Sequence, residues 1–108
     1  MINYDQFSQV ELKVGTVLEA ESLEGSEKLI KMQVNAGEAE PRTIVAGIAE
    51  AYQAEQLVGR TIAIVFNLKP AKLMGVESNG MVLAASVGDG RPVLVSFEQE
   101  VAPGARVR

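Results

Sequence analysis

Leu12-Lys13-Val14-Gly15-Thr16-Val17-Leu18-Glu19-Ala20-Glu21 is the stretch that decides the class of fold. Leu12, Val14, Thr16, Leu18 and Ala20 fall on one side of an extended chain; Glu11, Lys13, Glu19 and Glu21 fall on the other. Successive side chains of a strand point to opposite faces, so this period of two reads as a long strand buried on one face. Gly15 within it points to a bend or a bulge. The alternation resumes at Ile30, Met32 and Val34, interleaved with Lys31, Gln33 and Asn35. Between the two runs, Leu23 to Lys28 reads as a turn centred on Gly25 and Ser26.

Working outward, Asn3 is placed to cap a short helix, with Gln6 reaching back to it. Tyr4, Phe7 and Val10 then share one helical face. Ala36 to Pro41 is a second turn, and Arg42 to Ile48 a third strand, apolar on both faces toward its end. Glu50 to Val58 is rich in helix formers and stops at Gly59. A fourth strand is expected from Thr61 to Phe66 and a fifth from Met81 to Ala85. After the Gly88-Asp89-Gly90 turn, Val93, Val95 and Phe97 alternate in a last strand, followed by an extension. Three strands, a short helix and two strands are the element order of a small all-β barrel.

Asn67-Leu68-Lys69-Pro70-Ala71-Lys72-Leu73-Met74-Gly75-Val76-Glu77-Ser78-Asn79-Gly80 separates the fourth and fifth strands. Two lysines, a proline, two glycines and short polar side chains make it an expected surface loop between buried strands, where small scaffolds carry function. Lys69 and Lys72 supply charge for phosphates. Asn67 and Ser78 supply hydrogen bonds for base edges, ribose hydroxyls or phosphate oxygens. Met81 either packs on an exposed base or begins a buried strand. Lys28, Lys31 and Arg42, on or beside the second and third strands, are either ordinary surface charge or further contacts. Five aromatic residues are too few for base stacking to dominate, which favours folded RNA recognised by shape and backbone.

This loop, with Glu11-Leu12-Lys13-Val14-Gly15, Glu24-Gly25-Ser26-Glu27-Lys28-Leu29 and Ala46-Gly47-Ile48, resembles the tRNA-binding domain family. That family includes the C-terminal domain of methionyl-tRNA synthetases, stand-alone dimeric tRNA-binding proteins, endothelial monocyte-activating polypeptide II and a bacterial secretion chaperone. The resemblance covers nearly the whole chain. It implies a five-stranded Greek-key OB-fold barrel with the helix between strands three and four. It also implies tRNA contacts at Asn67, Lys69, Lys72, Ser78 and Met81, binding that assists aminoacylation, and a symmetric homodimer. An aminoacyl-tRNA synthetase is then a further partner. The chaperone relatives imply the alternative of a dimeric protein-interaction module. Met1 lies close to the first element, which leads us to expect a free-standing protein or a detached synthetase domain.

Composition narrows the classes further. At 108 residues the chain is expected to be one domain, residues 1–108, and an apolar fraction of 47% is enough to fold it. There is no histidine, the usual acid or base near neutral pH, and no cysteine to act as nucleophile or thiolate ligand. Ser78 has no visible base, and Met81-Val82 stands where a phosphate loop needs Lys-Ser/Thr. The reading is therefore of a non-enzyme without metal or cofactor. The Glu19-Glu21-Glu24-Glu27 set reads as a solvated face. Neither a signal peptide nor an apolar run near the roughly 18 residues of a membrane span is visible, which leaves a cytoplasmic location. The net charge of −4 opposes RNA unless the lysines segregate in space.

Overall fold

The structure is a computed structural model and describes all 108 residues. Helix α1 (Tyr4–Ser8) starts at Asn3, whose side chain accepts from Gln6 N while Gln6 Oε1 accepts from Asn3 N. Strand β1 (Leu12–Ser22) is central: it pairs antiparallel with β2 (Ile30–Asn35), with β4 (Thr61–Val65) and with β10 (Arg106–Val107). Strand β3 (Arg42–Ala46) continues the sheet beyond β2, and β7 (Met81–Val82) continues it beyond β4. The order is β3-β2-β1-β4-β7. The two ends approach each other, making an all-β barrel of the OB type. A short helix, α2 (Ala54–Leu57), sits between β3 and β4 and buries Ala54 and Leu57 in the core. No helix is long and apolar enough to cross a membrane.

The core follows the alternation where a strand is regular. Ile30, Met32 and Val34 are all fully buried, and they meet Ile44, Ile62, Ile64 and Leu57. Along β1 the phase changes. A bulge lies between Val17 and Glu19, so Val17 is buried while Leu18 is 42% exposed. Gly15 is not the bulge; it pairs regularly with Ile62. Its role is close approach, since a β-carbon there would fall 2.6 Å from Val34 Cγ1. Gly15→Val should destabilise by about 1–3 kcal/mol through this clash. An unchanged melting midpoint would show that Val34 moves aside without cost.

Four further expectations are revised. The helix expected over Glu50 to Val58 shrinks to four residues, because Ala51 N and Tyr52 N both donate to Ile48 O and make a turn first. The expected strand Met81 to Ala85 breaks at Leu83: β7 pairs β4, whereas β8 (Ala84–Ala85) turns to pair β9 (Val93–Leu94). In the last strand Leu94, not Val93, packs on the core, and Val93 is 61% exposed. Tyr52 fixes that phase by accepting from Leu94 N through its hydroxyl. The extension also holds a strand, β10, which covers Leu12 and Lys13.

Candidate nucleic-acid interface

The segment expected to be a loop is a hairpin. β5 (Ala71–Leu73) pairs β6 (Val76–Ser78) in the register Ala71–Ser78, Lys72–Glu77, Leu73–Val76. Met74 and Gly75 make the two-residue turn, with φ of 52° and 80°. Two successive positive φ angles are what a type I′ hairpin turn requires. Gly75 adopts them without cost; Met74 is the one non-glycine residue of the chain with positive φ.

Three side chains fasten this hairpin to the barrel. At its entry, Asn67 Nδ2 donates to Gln9 O at 2.8 Å and Asn67 Oδ1 accepts from Glu11 N at 2.9 Å. At its exit, Ser78 is only 5% exposed, and its hydroxyl accepts from Val45 N at 2.9 Å and donates to Gly80 O at 3.2 Å. Asn79 N donates to Thr43 O, so a side-chain bond and a backbone bond together join the exit to β3 and close the barrel. Across the base, Arg42 Nη1 donates to Phe66 O at 2.8 Å and Asn79 O at 3.2 Å. The guanidinium also forms a two-pronged pair with Glu38 (2.9 and 3.1 Å) and lies 3.9 Å from the Phe66 ring centroid. Lys13 Nζ is 3.8 Å from the same centroid. The Arg42 hydrogen bonds hold the Glu38 carboxyl below the usual carboxylate range, against a smaller opposing effect of burial.

The sequence-derived candidates therefore divide. Ser78 and Arg42 point inward: Ser78 is buried, the Arg42 side chain is 9% exposed, and the polar atoms of both already have protein partners. Asn67 lies at the surface with both ends of its amide used. Lys69 and Lys72 are exposed and in no ion pair. Met81 is exposed, as are Leu68, Leu73 and Met74, so lysines and apolar side chains interleave on the hairpin. Lys28 is exposed in the β1–β2 turn. Lys31 stands 3.8 Å from Glu21 in a pair that solvent weakens. The hairpin tip reaches that turn: a β-carbon added at Gly25 would meet Met74 Cε at 3.1 Å.

Between hairpin and β3 runs a groove of about 550 Å³, lined by Lys31, Arg42, Glu38, Glu40 and Glu77 among others. Its carboxylates oppose phosphate, while two of the lysines without ion-pair partners, Lys69 and Lys72, sit on the hairpin. The net negative charge of the chain is thus compatible with a local basic feature. Met74 was missed in the sequence because methionine carries no turn signal; Gly75 beside it was the usable clue.

An OB-type barrel whose connection from β4 to β7 is a fastened, lysine-bearing hairpin meeting the β1–β2 turn has the layout of an oligonucleotide-binding module. The chain belongs to the "Putative tRNA binding domain" family, which it matches over residues 12–106. It is 52% identical over 106 residues to the methionine–tRNA ligase of Thermotoga maritima, a match covering 98% of this chain and 16% of that protein. The chain spans about 15% of the length of the curated relatives it matches. Among solved structures it is similar to the MetRS related protein from Pyrococcus horikoshii, at 44% identity and a TM-score of 0.93, covering all of this chain and 98% of that one. It is also similar to the chaperone CsaA of Bacillus anthracis, at 29% identity and a TM-score of 0.91, covering all of this chain and 99% of that one.

Proposed function

We propose that this chain binds folded tRNA by shape and backbone, using Lys69 and Lys72 for phosphates, with Lys28 and Lys31 flanking them and Met81 on the apolar side. One observation carries this reading: two exposed lysines without ion-pair partners stand on a hairpin fastened at both ends. Asn67, Ser78 and Arg42 serve the same end by holding the hairpin, so little ordering is left to binding. The family and the methionine–tRNA ligase relatives support it. On this reading the chain is a binding module that acts in the cytoplasm, assists aminoacylation carried out by a synthetase, and performs no catalysis of its own. A gel shift with unfractionated tRNA should show a retarded complex at low salt that is lost as salt rises. No shift at any salt would contradict the proposal.

The likeness to CsaA favours a second reading, in which the exposed Leu68, Leu73, Met74 and Met81 hold an apolar peptide segment. Peptide capture by apolar contact would persist as salt rises, which separates it from phosphate binding.

The same proposal includes a homodimer. Tyr4, Phe7, Val10 and Val107 line an open groove of about 300 Å³ on the face shared by α1 and β10, and Tyr4 and Val10 are exposed there. A symmetric contact there would cover them, leaving the hairpins free. Light scattering at micromolar concentration should give twice the 11.5 kDa chain mass. The mass of one chain would contradict it.

A further inference from the structure

We infer that Met74 is a nucleic-acid contact that takes an unstacked base, an inference that rests on the tRNA-binding reading above. Met74 stands at the first position of the hairpin turn with φ of 52°, in the left-handed region where asparagine or glycine would be unstrained. A long apolar side chain there costs stability, and such strain persists where surrounding structure holds it for function. The strain is not offset by burial, since Met74 is 58% exposed. Its methyl group rests over Gly25, which steadies the side chain between hairpin and turn while leaving most of its surface open. Lys72 precedes it by two residues and Lys69 by five. Phosphates held by these lysines would bring a base or ribose against the exposed apolar side chain, whose length and adaptable shape suit an irregular aromatic face. A base is reachable only where it is unstacked, in a loop or single-stranded end; the edges of a paired helix offer no such face.

The test compares Met74→Asn and Met74→Leu with the wild-type protein, using unfractionated tRNA and a blunt, fully paired RNA duplex. Met74→Asn should melt at or above the wild-type temperature, because asparagine tolerates the left-handed turn. Its affinity for tRNA should fall about 5-fold, with the salt slope unchanged because no charge is lost. Its affinity for the duplex should stay within about twofold of wild type, and Met74→Leu should stay within about twofold on both RNAs. The inference is overturned if Met74→Asn binds tRNA as wild type does, if tRNA and duplex affinities fall together, or if affinity falls only alongside the melting temperature, which would make Met74 a strut for the turn. Failure of the underlying reading looks different: the wild-type protein itself would bind no tRNA.

Discussion

Replacing both Lys69 and Lys72 by alanine should cut tRNA affinity about 10- to 100-fold at low salt and flatten the slope of log affinity against log salt by about 2, one unit for each phosphate no longer neutralised by the protein. The expectation follows from their state in the free protein. Neither lysine is in an ion pair, so neither must leave a protein partner before meeting phosphate. Glu77 stands opposite Lys72 across the hairpin but outside ion-pair distance. The melting temperature should hold, because exposed side chains carry little packing. The loss should be similar for different tRNAs, since backbone charge carries no sequence information. Wild-type affinity in the double variant, at low salt and high, would show that tRNA binds elsewhere than on the hairpin.

Arg42→Ala should do the opposite: a large loss of stability and little change in salt slope. The substitution leaves Phe66 O and Asn79 O without their donor, uncovers the Phe66 ring and strands Glu38. A loss of about 2–3 kcal/mol is expected from the hydrogen bonds to the charged group, or about 10–20 °C in melting midpoint for a domain of this size. The Glu38 part of that loss depends on pH. Its carboxyl is held below the ordinary value in the folded state, so the pairing stabilises above that value and its contribution disappears as pH falls through the lowered one. The gap between wild type and Arg42→Ala should therefore narrow in acid. An unchanged melting midpoint, with a salt slope reduced by about 1, would return Arg42 to the role of a phosphate contact.

The contrast between these residues marks what the sequence could show. β2 was legible residue by residue because one face is buried and the other wet, so Ile30, Met32 and Val34 register directly as a period of two. The capping box of α1 was legible for a similar reason: Asn3 and Gln6 bond to each other's backbones, three residues apart. Barrel closure was not. It passes through the Ser78 hydroxyl, 33 residues from Val45 in the chain, and a serine between glutamate and asparagine reads as a turn residue wherever it points. The burial of Arg42 was illegible likewise, since exposed and buried arginines look alike until Glu38, Phe66 and Asn79 are brought around one of them. Leu18 was misplaced because a bulge shifts the phase of the strand at one residue, and periodicity has no means of announcing it. Lys69 and Lys72 were legible as exposed because they share a stretch with Pro70, Gly75 and short polar residues that no core could accept.

The most direct measurement is to titrate unlabelled tRNA into isotope-labelled protein and follow the backbone amide resonances. Binding through the hairpin predicts that the shifts concentrate in residues 68–77 of the hairpin and 24–28 of the facing turn, while Tyr4 to Val10 and Val107 stay unmoved. Shifts confined to that terminal face, with the hairpin silent, would contradict it.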